Sequence, residues 1–220
     1  MKENLTELVF ILDKSGSMSG LESDTIGGFN SMITKQQKEE GEAIVSTVLF
    51  SDASTVLHDR VDISKVEKMT DNDYYVGGCT ALLDAVGEAI RHIGKIQKKE
   101  GENRPAKTLF VITTDGMENA SRKYSASEVK KMISKKKEKH NWEFLYLGAN
   151  IDAVKAAGDI GISADRAANY RCDAVGTALN YEVLQSAVSS IRRCKSSKMK
   201  ATFDGGAWKE QIDEDYKARN

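Results

Sequence analysis

Cysteine and proline are scarce in this chain of 220 residues. Its three cysteines, Cys79, Cys172 and Cys194, stand far apart with no Cys-x-x-Cys spacing, and Pro105 is the single proline. An odd number of isolated cysteines argues against a disulfide framework and against a metal site built from cysteines. Reduced thiols are typical of cytosolic proteins. We therefore expect a cytoplasmic protein made of regular elements with few stiff connections.

The sequence also lacks an excess of charge of either sign, and it lacks long hydrophobic runs. Its 32 lysines and arginines nearly balance 33 aspartates and glutamates, which gives a formal net charge of −1. Without a strong net field, attraction to nucleic acid or to a membrane surface is not expected. No stretch approaches the roughly 18 apolar residues that a membrane span requires. The apolar run over residues 8–12 is too short for a secretory signal, and no small-residue cleavage site follows it.

Apolar runs and amphipathic stretches alternate along the chain. Nearly continuous apolar runs predict strands covered on both faces over residues 5–12, 43–50, 107–114 and 142–148. Residues 54–63 follow a short Ser-Asp-Ala turn, which favours a hairpin and hence one antiparallel edge strand. Residues 167–171 predict a last short strand. Apolar positions at three- and four-residue steps predict helices over 21–38, 80–98, 125–139 and 173–193, with Asp173 as the N-cap of the last.

This alternation predicts one α/β domain with a doubly wound, mainly parallel central sheet, one antiparallel edge strand and helices on both faces. We assign the domain to residues 1–194. Residues 195–220 are polar and begin lysine-rich, and we interpret them as an appended tail. In sheets of this type, ligands bind beyond the carboxyl ends of the strands, where the winding direction reverses.

Oxygen-bearing side chains occur in three loops that are expected to reach that edge. Asp13, Ser15 and Ser17 follow the first strand at alternate positions, Thr80 follows a glycine pair at a helix start, and Asp115 ends another buried strand. Mg²⁺ is a hard ion that prefers octahedral oxygen, keeps several waters and uses only one or two carboxylates. Because most of these donors are neutral hydroxyls, they leave part of the positive charge of such an ion uncompensated. The five residues therefore predict half of a cation cage, left open to an anionic oxygen from outside.

The order of these three loops resembles the metal-ion-dependent adhesion site of von Willebrand factor type A domains, and the resemblance covers residues 5–193. It implies that Ser15 and Ser17 coordinate the ion directly. Thr80 would do so directly or through water. Asp13 and Asp115 would act mostly through bound waters and hydrogen bonds. Mg²⁺ or Mn²⁺ is expected, Ca²⁺ is less favoured, and the sixth position would take an Asp or Glu carboxylate from a partner protein.

The absence of disulfides and of a signal segment places the resemblance nearer to an intracellular bacterial or phage-like branch than to secreted adhesion proteins. The expected protein is an interaction module without catalytic activity. Its expected partner is an ATPase or a stress- or phage-associated complex.

Cys79 departs from the family pattern, because a glycine or another small residue usually precedes the threonine. We expect it to be a small buried thiol that leaves the donor set intact.

Other interpretations of the first loop are weaker. Asp13, Ser15 and Ser17 match the first ligand positions of an EF-hand, but Met18 stands at the required glycine and a strand precedes the loop. The Gly-x-Gly-x-x-Gly fingerprint of dinucleotide binding is absent. A metal-dependent phosphate-ester hydrolase with Asp13 as nucleophile remains the alternative function. Such an enzyme would need a second acid two residues on as general acid, and this chain has Ser15 there.

Plain structural roles are the remaining alternatives. Residues 13–17 could form a helix-capping loop, and Asp115 could belong to a simple turn between a strand and a loop. Thr80 is predicted to be a helix N-cap, which is compatible with metal binding. The three histidines at positions 58, 92 and 140 have no pairing that suits a metal and are expected at the surface or an interface. The basic run 130–140 is expected to be a solvated helix face, with a phosphate-binding patch as the alternative.

Overall fold

The apolar run after Glu7 forms the middle of a central strand, β1 (Lys2–Asp13). The structure is a computed structural model that describes residues 1–219. Val9 and Ile11 point to one face of the sheet and Phe10 to the other, and all three are fully buried. Burial of each such side chain stabilises the fold by about 1.5–3 kcal/mol. A strand covered on both faces explains why the run does not alternate with polar residues.

Six strands of the described chain form one sheet in the order β3-β2-β1-β4-β5-β6. Neighbours pair in parallel except β2 and β3, which form the predicted antiparallel edge hairpin. The remaining strands are β2 (Glu42–Phe50), β3 (Ser54–Asp62), β4 (Pro105–Thr114), β5 (Trp142–Ala149) and β6 (Ala167–Tyr170). The predicted fold class is confirmed, and the strand bounds lie within a few residues of those predicted.

Helices cover both faces of the sheet. The bounds are α1 (Glu22–Gln36), α2 (Leu82–Glu100), α3 (Ala126–His140), α4 (Ala153–Asp159), α5 (Ala174–Arg193) and α6 (Glu210–Ala218). Helices α1, α5 and α6 contribute to the core on one face, whereas α2, α3 and α4 contribute to the core on the other. The chain leaves β1 toward one face and leaves β4 toward the other. The winding therefore reverses between these two adjacent strands.

The segment after residue 194 packs against the first of these cores. Met199 and Phe203 are fully buried and Ile212 is nearly so. The buried Arg166 guanidinium donates to the Lys200 carbonyl and to Asp204, both at 2.8 Å. Residues 195–219 thus share the core of the sheet, although their sequence is polar overall. Across residues 1–219, none of the helices combines the length and the apolar character needed to cross a membrane.

Candidate metal centre

Asp13 ends β1 with both carboxylate oxygens already hydrogen-bonded. The Ser15 backbone N–H donates to Oδ1 at 2.7 Å and the Thr114 hydroxyl donates to Oδ2 at 2.6 Å. Burial raises the pKa of the Asp13 carboxyl, the bonds from Ser15 and Thr114 lower it, and the neighbouring Asp115 raises it further. The buried Tyr74 hydroxyl donates to the Asp13 carbonyl. Asp13 therefore holds the loop in shape from inside the fold.

Two serine hydroxyls lie side by side above this carboxylate. Ser15 Oγ and Ser17 Oγ are 3.1 Å apart, and the Ser17 hydroxyl donates to Asp115 Oδ1 at 2.6 Å. Two oxygen ligands at right angles, each about 2.1 Å from an Mg²⁺ ion, would lie about 3 Å apart. The serine pair therefore has the spacing of neighbouring ligands in such an octahedron.

Gly116 marks the point on which the three hydroxyls converge. A methyl carbon added to Gly116 would lie 2.9 Å from Thr80 Oγ1, 3.2 Å from Ser17 Oγ and 3.9 Å from Ser15 Oγ. Three hydroxyl oxygens from two loops thus lie within 4 Å of one point. A side chain at this position would crowd the Thr80 and Ser17 hydroxyls, which explains why glycine suits it.

The loop that carries Thr80 is tied to the β1 loop through its backbone. The Gly16 N–H donates to the Gly78 carbonyl at 3.0 Å, and the Gly77 N–H donates to the Lys14 carbonyl at 2.9 Å. Gly78 has a φ of 79° and lies directly against the Asp52 carboxylate, which accepts a bond from the next N–H in the chain at 3.1 Å. A side chain at Gly78 would be strained and would displace Asp52.

The loop after β4 positions Thr80 from the other side. Thr80 N–H donates to Asn119 Oδ1 at 2.9 Å, and Asn119 N–H donates back to the Thr80 carbonyl at 3.1 Å. The prediction of Thr80 as an N-cap is wrong, because Ala81 occupies that position and offers no side-chain bond. The first N–H groups of α2 are instead satisfied by Glu118, which accepts from Leu83, and by a serine hydroxyl of the same loop. The threonine hydroxyl is thereby left free of capping.

All five residues predicted from the sequence lie at this edge of the sheet. Four of them are buried, and Ser17 is exposed. Within residues 1–219 there is no cluster of three or more His, Cys, Asp or Glu side chains arranged to hold a metal. The donors are instead neutral hydroxyls with a carboxylate on either side, which suits a hard cation such as Mg²⁺ and not a thiolate-seeking one. The residues present therefore fit the expected group, and Ser15, Ser17 and Thr80 would be its donors.

Sequence analysis missed several residues that shape the site. Thr114, the last residue of β4, and Asn119, in the loop that follows, were not among the predicted site residues. Cys172, two residues beyond the end of β6, donates its Sγ–H to Asp115 Oδ2 at 3.5 Å. Burial raises the pKa of this thiol to about 11. Cys79, expected to be buried, is exposed.

A small pocket lies beside Asp13 and is lined by residues of the sheet and of helices α1 and α5. Buried side-chain oxygens of Thr113, Thr177, Asn180 and Tyr181 line it and have no hydrogen-bond partner within the described residues. Unpaired buried polar groups are costly, so this pocket is a weak point of the packing under the site. His58 was predicted to lie at the surface or an interface; it is buried within the chain, and its Nδ1 lies 3.0 Å from Thr47 Oγ1.

Comparison with solved structures identifies the fold. No family model matches the sequence, and no curated protein matches it. Proximal thread matrix protein 1 from the mussel byssus, with a zinc-occupied MIDAS motif, is 14% identical with a TM-score of 0.59 over 85% of this chain and 46% of that one. A von Willebrand factor type A structure from Catenulispora acidiphila is 14% identical with a TM-score of 0.54 over 84% and 42%. The conserved hypothetical protein BatB from Bacteroides thetaiotaomicron is 13% identical with a TM-score of 0.50 over 86% of this chain and all of that one.

The chain therefore has an α/β architecture of the doubly wound class. Within that class its fold is that of a von Willebrand factor type A domain. It spans about half the length of the first two of these structures.

Proposed function

We propose that this protein is a metal-dependent protein-binding module. A divalent cation would be held at the carboxyl edge of the sheet by Ser15, Ser17 and Thr80, and a partner protein would supply a carboxylate to complete the site. The observation that carries this proposal is the convergence of the three hydroxyls on Gly116. The zinc-occupied motif of the mussel protein supports a divalent ion in such a fold, whereas oxygen donors alone favour Mg²⁺ or Mn²⁺ here.

The charge balance of the donors explains why a carboxylate would be the partner group. When bound, the cation supplies a Lewis-acidic position that faces solvent. Ser15 and Ser17 contribute neutral oxygens, and Asp13 has both carboxylate oxygens engaged by protein donors. The protein therefore neutralises little of the ionic charge directly. An Asp or Glu side chain from outside would complete the compensation, in the manner of a charge-assisted contact.

Two exposed hydrophobic side chains flank the site and would contact the partner surface around that carboxylate. Met117, next to Gly116, is 73% exposed, and Tyr75 is 64% exposed. The Lys14 ammonium lies 3.9 Å from the centre of the Tyr75 ring and holds it in place. Tyrosine and methionine are enriched at the centres of protein interfaces. Their placement supports a protein partner over a small-molecule substrate.

A binding role also fits the state of Asp13 better than the alternative of a phosphate-ester hydrolase. A nucleophilic aspartate needs one oxygen free to attack, whereas both oxygens of Asp13 accept short bonds. No second acid stands two residues on, where Ser15 lies. Incubation with a generic phosphate ester and Mg²⁺ separates the two functions. Turnover that disappears in Asp13→Asn would overturn the binding proposal.

The proposal is tested by partner capture from the host in the presence of Mg²⁺, repeated with chelator and with Thr80→Ala. The partner expected is an ATPase or a stress- or phage-associated complex. We expect one set of proteins to be captured only with Mg²⁺, and Thr80→Ala to weaken capture more than it weakens ion binding. Tyr75→Ser and Met117→Ser should reduce capture while leaving ion binding unchanged. Capture that ignores chelator and all three substitutions would place the interface elsewhere.

A further inference from the structure

A basic groove lies at the end of the domain opposite the metal centre. Helices α2 and α3 both end at the amino edge of the sheet, just before β4 and β5 begin. Between them is a cavity of about 560 Å³ with a partly apolar floor that includes Ile90 and Met132. Six cationic or titratable side chains line it: Arg91, Lys98, Arg104, Lys135, Lys136 and His140.

Charge is strongly segregated toward this end of the protein. Residues 91–104 and 130–140 together carry eleven lysines and arginines against three glutamates, a formal charge of +8. The rest of the chain carries −9, so the net charge of −1 hides two opposite regions. A local field of this size attracts anions even when the whole molecule is nearly neutral.

The cations in the groove lack acidic partners. No Asp or Glu lines the cavity, and across residues 1–219 none of the six side chains forms an ion pair. Lys136 is held in place instead by the Trp142 ring, whose centre lies 4.2 Å from its ammonium. Gly94 makes this possible, because a side chain there would collide with the Lys136 ammonium.

Burial and neighbouring cations disfavour the protonated forms of two groove residues. Burial, followed by the nearby Lys135, lowers the pKa of Lys136. Burial, followed by Lys136, Arg104, Lys135 and Lys139, lowers the pKa of His140. Cations in the last turn of a helix are favourable to its dipole. That explanation covers Lys98 and His140 but not the four other lining residues, which lie outside the last turns.

We propose that this groove binds a small anion that carries two or more phosphate groups. Its volume falls in the range typical of small-molecule sites, about 300–1,000 Å³. Arg91 and Arg104 offer planar donors that match phosphate oxygens in pairs, and the lysines add point charges around them. The concave shape and apolar floor favour a compact ligand over an extended nucleic acid backbone. The site is independent of the metal centre.

Calorimetric titration with sodium tripolyphosphate, in buffer free of divalent cations, tests this proposal. The wild-type protein and Ser15→Ala/Ser17→Ala should bind one tripolyphosphate per chain with the same affinity. Lys98→Gln/Lys135→Gln should weaken binding at least about tenfold, because two charge-assisted contacts are lost. Lys130→Gln/Lys131→Gln removes the same charge from exposed positions outside the groove and should change affinity less than about threefold. Equal losses in the two pairs, or no saturable binding below about 1 mM, would overturn the proposal.

A second readout locates the ligand without relying on affinity. His140 is one of three histidines, so its ring can be followed by NMR through a pH titration. A bound polyphosphate should raise the pKa of His140, because the protonated ring then faces an anion as well as the four nearby cations. His92, whose Nε2 lies 2.8 Å from Asp59 Oδ1 on the exposed surface, serves as the reference. An unmoved His140 would overturn the proposal, as would a single-stranded oligonucleotide that binds more tightly than tripolyphosphate at equal phosphate concentration.

Discussion

The Ser17 hydroxyl donates to Asp115 Oδ1 at 2.6 Å, across 98 positions of sequence. The bond joins the loop after β1 to the loop after β4, which are adjacent strands in the sheet. Thr114 makes a second link between the same strand ends through Asp13. The loops that carry the donors are therefore fixed to each other by the fold itself, so the hydroxyls are preorganised for a cation.

Removal of the serine hydroxyls should remove the ion without damage to the fold. Ser15→Ala/Ser17→Ala should abolish binding of one divalent cation per chain, measured by calorimetry with Mg²⁺ and Mn²⁺. Helix content by circular dichroism should be unchanged, because the hydroxyls contribute donors and no core packing. Ser19→Ala, an exposed serine in the same loop, is the matched control and should bind as the wild type does. A double mutant that binds as tightly as the wild type would place the cage elsewhere.

Thr113 and Thr114 are neighbours with opposite expectations. Thr114→Val should lower the free energy of unfolding by about 1–3 kcal/mol, because it leaves a buried oxygen of Asp13 without its hydrogen-bond donor. It should also lower the affinity for the ion. Thr113→Val removes an oxygen that is buried without a partner and should be neutral or slightly stabilising. Chemical denaturation of both variants provides the measurement. Equal losses would mean that the Thr113 hydroxyl is satisfied after all.

The glycine pair before Thr80 offers a test of loop geometry. Gly78→Ala should cost about 1–2 kcal/mol because of its left-handed backbone. It should also lower the affinity for the ion, since Asp52 must move and the loop that carries Thr80 shifts. Gly77→Ala is the control, because its backbone is not left-handed and nothing lies within 4 Å of an added methyl group. Thermal denaturation and Mn²⁺ titration of the two variants should separate them; equal behaviour would show that the loop tolerates the strain.

The segment after residue 194 should be required for stability. Phe203→Ala should cost about 3–5 kcal/mol, as expected for a large aromatic side chain removed from a core. Lys200→Ala, on the exposed side of the same segment, should change the unfolding free energy by less than about 0.5 kcal/mol. A stable, fully folded protein truncated after residue 194 would instead support the division of the chain into a domain and an appended tail.

Much of the fold followed from the sequence because its strands are buried on both faces. Continuous apolar runs such as residues 8–12 predict that kind of strand directly, and Asp173 was correctly predicted as an N-cap, since it accepts from the Gly176 N–H at 2.8 Å. Helix α4 was missed because its seven residues are too few to show a period. The packing of Phe203 was missed because its apolar neighbours are scattered among lysines and glycines.

The five candidate site residues were predicted because strand ends meet at one edge of the sheet, and the structure brings them together there. Their role toward a metal remains a prediction. The contacts of Thr114 and Asn119 could not be assigned from the sequence, since they depend on which atoms these side chains reach in other loops. The exposure of Cys79 was likewise missed; its backbone N–H donates to Asp52, 27 positions away, a contact that the sequence does not reveal.

An anomalous difference map from crystals grown with Mn²⁺ tests the central claim most directly. We expect one peak at about 2.1 Å from Ser15 Oγ and Ser17 Oγ, with Asp13 retained on Thr114. At least one coordination position, facing away from the protein, should hold a water or a carboxylate from another molecule. A peak at any other group of residues, or an ion whose ligands all come from this chain, would contradict the account.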